Sequence, residues 1–171
     1  MGRQPSQPLQ PLTWLGLPML LCLLGVIALA VPLEIFGLRL PEPVLPMVLA
    51  FSWAVIRPSV LGPFALLLTG LFVDLFWGAP LGLWTLSLLL AYFVALLARN
   101  LMVGQNGRVL WGWYAALCLL TFTVVYVFTA TEGGVWPNLG ATLSQFVVTA
   151  ALYPLAHRLI DRFEDADIRF R

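Results

Sequence analysis

The sequence predicts an all-α integral membrane protein: six transmembrane helices in a compact bundle, with both termini in the cytoplasm. Three observations carry this. The chain of 171 residues is 61% hydrophobic and 10% charged, with mean hydropathy +0.94, whereas a soluble domain carries about 25% charged residues. The apolar residues gather into six runs, separated by breaks rich in Pro, Gly and Arg. All nine basic residues are Arg, and eight of them fall at the two ends of the chain and on alternate breaks.

Residues 1–13 open with MGRQPSQPLQ, a polar, proline-rich cytoplasmic tail expected to be disordered. The transmembrane domain then runs from 14 to 160. Its first apolar run is Trp14 to Val31, and the second, Val44 to Ile56, is short. The third is Val60 to Trp77, the fourth Leu83 to Ala98, the fifth Val109 to Thr129 and the sixth Leu139 to Leu159. A helix needs about 20 residues to cross the hydrocarbon. Runs one, three, five and six meet that length, and run four does so by borrowing Pro80 or Leu81. The second run fits if it starts at Pro41 with a broken first turn, or lies tilted and buried among its neighbours. Pro58 and Pro80 suit the first turn of the helix that follows each, where a missing N–H costs nothing. Residues 161–171 form a charged cytoplasmic tail. There Glu164, Asp165 and Asp167 alternate with Arg162, Arg169 and Arg171, as in a solvated amphiphilic segment or a docking site for a cytosolic partner.

Arginine placement sets the orientation. With the N-terminus inside, Arg3, Arg57, Arg99, Arg108, Arg158, Arg162, Arg169 and Arg171 face the cytoplasm and Arg39 alone faces out. Trp14, Trp77, Trp111, Trp113 and Trp136 lie near the expected helix ends, where an aromatic belt forms. Ala28-Leu29-Ala30 has the form of a signal-peptidase site, but the preceding apolar run is too long for a signal peptide and its lead is Pro-rich with one Arg. The first helix is expected to be retained.

Little in the chain points to catalysis. His157 is the only histidine and adjoins Arg158, where it reads as interfacial polarity. Cys22 and Cys118 are far apart, in no metal or redox spacing, so no metal is expected. There is no GxSxG, no phosphate-binding Walker motif, and no basic–aromatic pattern for nucleic acid. The chain reads as a non-enzyme without cofactors.

One motif remains, GLFVDLFWGAPLG, from Gly70 to Gly82. Gly70, Asp74 and Gly78 are spaced i, i+4, i+8, along one helix face, and Gly78 and Gly82 flank a turn containing Pro80. Small residues at this spacing let helices approach closely in lipid. An intramembrane carboxylate must face protein or interface. The unpaired N–H groups at the start of the fourth helix lie just past the turn, and a carboxylate there would accept them and lock it. Arg39, the lone external cation, is the other candidate partner of Asp74. Contact with a protein partner and proton or solute chemistry are the remaining readings of this residue. Ser144, Gln145 and Thr149, and then Thr121 and Thr123, read as hydrogen-bonding between helices.

On the pattern G-x-x-x-D-x-x-x-G-x-P-x-G, here Gly70, Asp74, Gly78, Pro80 and Gly82, the chain resembles the MreD family of bacterial rod-shape-determining membrane proteins. The similarity is strongest from Pro43 to Ala95 and includes the run LLLAYFVALL, Leu88 to Leu97. The resemblance implies a non-enzymatic scaffold of the cell-elongation complex, or elongasome, in the bacterial cytoplasmic (inner) membrane, acting in peptidoglycan synthesis and cell shape. It implies MreC as main partner, with RodA, a penicillin-binding transpeptidase and MreB in the same complex. It also implies a fold similar to the S-components of vitamin transporters, and hence an alternative function as a solute-binding transporter subunit. S-components carry an A-x-x-x-A pair on helix one, and Trp14 to Val31 has none. With loops this short, partner contact is expected at the outer turns, with Leu40, Pro41, Pro43 and Pro46 as candidates.

Overall fold

The computed structural model describes the backbone of residues 12–30, 34–35, 38–39, 41–56, 59–133 and 136–168, and the side chains of 14–30, 41–56, 59–132 and 136–161. The fold is all-helical apart from a two-residue ribbon. A π-helical turn, Leu12–Gly16, leads into α1 (Leu17–Leu29). Strands β1 (Glu34–Ile35) and β2 (Leu38–Arg39) pair antiparallel, Glu34 opposite Arg39. Then come α2 (Pro46–Ile56), α3 (Leu61–Phe76), α4 (Leu83–Met102), α5 (Gly107–Gly133), α6 (Leu139–Ala150) and α7 (Tyr153–Ile168).

Among the described residues three stretches are long and apolar enough to cross a membrane: Leu83–Met102, Gly107–Glu132 and Leu139–Asp161, the last formed by α6 and α7 together. Trp14–Leu29, Pro46–Ile56 and Leu61–Phe76 are apolar but shorter. This departs from the sequence expectation for runs one and three, whose apolar ends do not all enter helix. Run three stops at Phe76 because Gly78 adopts φ +63° and terminates it. In run one, Pro18 has no N–H to offer the carbonyl of Trp14, and the turn before it is widened to π geometry. Large apolar side chains such as Phe64, Leu68, Leu97, Leu101, Leu119 and Val147 are exposed on the rim of the bundle, a surface that suits lipid and not water. The protein is a membrane protein. Trp111 and Trp136 are exposed near helix ends, as a belt requires, but Trp14 is buried in the core.

The centre of the bundle is α2. Every residue from Pro46 to Val55 is buried, and α1, α3, α4, α5 and α7 pack around it. At 11 residues it is about 16 Å long, against a hydrocarbon thickness of about 30 Å. It tolerates that shortfall because its ends meet protein groups. The Arg99 Nε donates to the carbonyl of Val55 at 3.0 Å, satisfying its C-terminal end. At the other end the non-helical lead-in is held by α6. Thr149 Oγ1 accepts from the buried Val44 N–H at 3.1 Å, and Gln145 Nε2 donates to the carbonyl of Glu42 at 3.0 Å. Irregular backbone at this depth survives only when such partners exist.

The α6–α7 break at Ala151–Leu152 has the same cause as the π turn. Pro154 removes the N–H that would bond the Ala150 carbonyl, and its ring crowds that turn. The Thr149 carbonyl then accepts from Leu152 N–H at 3.0 Å and from the Tyr114 hydroxyl at 3.1 Å. Thr149 thus serves two elements at once. Thr149→Val is expected to cost about 1–3 kcal/mol by stranding the Val44 amide. Tyr114→Phe, which leaves the carbonyl its Leu152 bond, is expected to cost about 1 kcal/mol. Thermal melts in detergent will rank the two.

Helix α7 continues through Ile168, so its backbone carries on into the charged segment that the sequence divides off at residue 161.

Candidate functional site

The α3–α4 hairpin is built around Asp74, which is 0% exposed. Its carboxylate accepts four hydrogen bonds, all from α4 and the residue before it. Oδ1 accepts from Trp84 N–H at 2.8 Å. Oδ2 accepts from Gly82 N–H at 2.9 Å, from Thr85 N–H at 3.3 Å and from the Thr85 hydroxyl at 2.7 Å. Gly82 is the residue that opens α4, so Trp84 and Thr85 supply the second and third N–H groups of that helix. Those are the donors a capping side chain accepts. Gly82 has no side chain, and a carboxylate from the preceding helix takes its place. The negative charge lies against the positive end of the α4 dipole, and charge-assisted bonds of this kind are stronger than neutral ones.

Two glycines make this reach feasible, for different reasons. A Cβ on Gly70 would lie 2.5 Å from Thr85 Cα, which no real contact permits, so Gly70 brings the backbones of α3 and α4 together one turn below Asp74. Gly62, two turns further down, makes room for a side chain instead: a Cβ there would lie 3.0 Å from the Tyr92 hydroxyl. Gly78 has no such role. Helix α3 ends at Phe76, so Gly78 is not on its face, and a Cβ there would meet nothing within 4 Å. This corrects the expectation that Gly78 shares the close approach. Its need for glycine is φ +63°. The chain closes α3 there in a Schellman turn: Ala79 N–H donates to the Asp74 carbonyl at 2.9 Å and Gly78 N–H to Leu75 at 3.4 Å. Asp74 therefore ends α3 with its backbone and starts α4 with its side chain. Gly82 takes φ +98° at the start of α4.

Pro80 is also corrected. It lies before the helix, not in its first turn, and its carbonyl accepts from Leu83 N–H at 3.1 Å. Pro58 lies outside the described residues, as do Leu40 and the side chain of Arg39. Among the described residues, the hydrogen-bond partners of the Asp74 carboxylate are N–H and O–H donors of the turn and α4. Over the turn, Trp77 meets Trp84 edge-on at 5.2 Å, Trp84 meets Phe122 at 6.1 Å, and Phe122 meets Phe146 at 6.1 Å. That row ties the hairpin to α5 and α6. Leu81 is exposed at the tip.

Among the partner-contact candidates, Pro41 and Pro43 are half-buried and Pro46 is buried at the start of α2. Pro46 is thus a packing residue. Gln145 and Thr149 hold the lead-in to α2, whereas Ser144 bonds only its own helix, to the Ala141 carbonyl. Thr121 bonds back to Leu117 and also reaches across to Met47 Sδ on α2 at 3.6 Å, as expected of an interhelical bond, whereas Thr123 bonds back only to Leu119. Thr85, and the bond from Arg99 to the end of α2, escaped the sequence reading. A hydroxyl at the third position of a helix, facing a glycine on the helix before it, was the available signal for Thr85. Among the described residues no group of three or more His, Cys, Asp or Glu is placed to hold a metal ion.

The chain matches no family model, no curated protein and no solved structure.

Proposed function

We propose that this chain is a non-enzymatic scaffold of the bacterial cell-elongation machinery, of the MreD type, with six crossings of the cytoplasmic (inner) membrane. Both termini lie in the cytoplasm in this reading, and the helical arrangement is of the S-component kind. The observation that carries it is the Asp74 carboxylate. Three of its four bonds converge on one oxygen and the fourth takes the other. A carboxylate held by four fixed donors organises backbone; it is poorly placed to carry protons or grip a solute. The same turn presents the exposed Leu81 at one end of the bundle, backed by the half-buried Trp77 against the buried Trp84, a small rigid apolar knuckle suited to a single-span partner. MreC is that partner in this reading, with RodA, a penicillin-binding transpeptidase and MreB further out in the complex.

Affinity purification of the tagged protein in mild detergent, followed by mass spectrometry, tests the function. Recovery of MreC and elongation enzymes is expected. Recovery of an energy-coupling transporter module in their place would favour the solute-binding subunit.

Topology is tested by single cysteines at Ser6, Arg39, Asn106, Glu132 and Arg169. The native Cys22 and Cys118 are buried and stay silent. Labelling from outside is expected at 39 and 132 only, and labelling at 169 would refute six crossings.

A further inference from the structure

At the end of the bundle opposite Asp74, a second polar group forms where α5 begins against α7. A Cβ on Gly107 would lie 3.2 Å from His157 Nε2 and 3.6 Å from the Tyr153 hydroxyl oxygen. Imidazole and phenol therefore converge on the first residue of α5. The Asn106 carbonyl accepts from Val109 N–H at 2.9 Å and Leu110 N–H at 3.1 Å, which aligns this first turn. The amides of Gly107 and Arg108 then point out of the helix end with no intrahelical carbonyl to meet.

Tyr153 is 7% exposed, and its buried hydroxyl has no hydrogen-bond partner among the described residues. A buried hydroxyl without a partner is costly, and one aimed at a helix start asks for an acceptor. His157 Nδ1 stands 3.0 Å from Asp161 Oδ1, without hydrogen-bond alignment, so the ring keeps its other nitrogen toward Gly107. Arg108 and Arg158 are exposed beside the notch. Asp161 is the one acidic side chain described there, and it lies on the far edge of the imidazole.

Depth points to what fills the notch. Gly107 is the first residue of the span Gly107–Glu132, and Asp161 is the last of Leu139–Asp161. The notch therefore sits at headgroup level. We propose that it binds a phosphate group, held by the first-turn amides of α5, the Tyr153 hydroxyl and His157 Nε2, with Arg108 supplying charge. The favoured source is the headgroup of an anionic phospholipid. Helix N-termini are established phosphate sites, and here the Tyr153 hydroxyl and His157 Nε2 both face the first residue of one.

His157 is the only histidine in the chain, so its imidazole gives one NMR signal. The full-length protein, labelled with ¹³C-histidine, would be placed in phosphatidylcholine nanodiscs at fixed pH. Rising phosphatidylglycerol is expected to shift and saturate that signal. Discs with oleate at matched charge, which carry the surface potential but no phosphate, are expected to leave it in place. Tyr153→Phe is expected to weaken the response about three- to tenfold, and so is Arg108→Gln, an exposed position whose change does not threaten folding. Inorganic phosphate reproducing the shift in plain phosphatidylcholine discs would support the site with a soluble source. An equal response to oleate, no response to either phosphate source, or wild-type response in both variants would overturn the proposal.

Discussion

Asp74→Leu is expected to lower the thermal midpoint of the purified protein by about 6–12 °C. The change strands the N–H groups of Gly82, Trp84 and Thr85 in a buried turn. Each stranded buried donor costs about 1–3 kcal/mol, and some will relax toward other acceptors, so a total of about 3 kcal/mol is a fair floor. For a chain of this size about 2–4 °C accompanies each kcal/mol. Asp74→Asn is expected to fall between. With its amide oxygen in the place of Oδ2 it still accepts from Gly82 and Thr85, while its NH₂ faces the Trp84 N–H and cannot accept. Differential scanning fluorimetry in one detergent should order the three proteins as wild type, Asn, Leu. A Leu variant that melts with wild type would remove the hydrogen bonds from any account of stability.

The second large effect separates two glycines that look equivalent in the sequence. Gly70→Asn is expected to prevent the α3–α4 hairpin from closing, because its Cβ would sit 2.5 Å from the backbone of Thr85. Backbone cannot give way as a side-chain tip can, so the helices separate and Asp74 loses its reach. Gly78→Asn is expected to be nearly silent. Nothing lies within 4 Å of that position, and Asn adopts the left-handed conformation more readily than other side chains. Gly78→Ala should cost about 1–2 kcal/mol, the strain of a Cβ at positive φ. Yield of folded monomer by size exclusion and the melt of whatever is recovered will read this contrast. Equal losses at 70 and 78 would mean that both glycines serve packing.

These two positions also mark how far the sequence could be read. The glycine spacing and an aspartate in an apolar run were enough to place a turn and to suggest helix-start donors as partners of the carboxylate. Where α3 ends was not legible. Leu75, Phe76 and Trp77 are all apolar, and hydrophobicity does not distinguish the last helical residue from the first of a Schellman turn. Hence Gly78 was assigned to a helix face it does not occupy. Pro80 is ambiguous for a related reason: proline fits before a helix as well as in its first turn, and Gly82 takes the opening position here.

The second helix was legible only as an anomaly. Thirteen apolar residues are too few for a crossing, and burial among neighbours was one way out. The near-complete burial of α2 answers the length problem. The partners that hold it in place are tertiary: Arg99 reaches Val55, Thr149 reaches Val44, and Gln145 reaches Glu42, across separations of 44, 105 and 103 residues. Polar residues in apolar runs announce that a bond exists, but not its address. Pro46 was read as surface for want of that address, and it is buried beneath these contacts.

The central claim is that Asp74 works by holding backbone, with no proton or solute passing through it. If the proposed scaffold function holds, the most direct measurement is elongation of cells whose only copy carries Asp74→Asn, compared with the folded fraction and MreC recovery of the same variant. Asparagine keeps an accepting oxygen but has no titrating proton. The account predicts that elongation falls only as far as folding and MreC recovery fall. A variant that folds and recovers MreC as wild type does, yet fails to elongate cells, would contradict it.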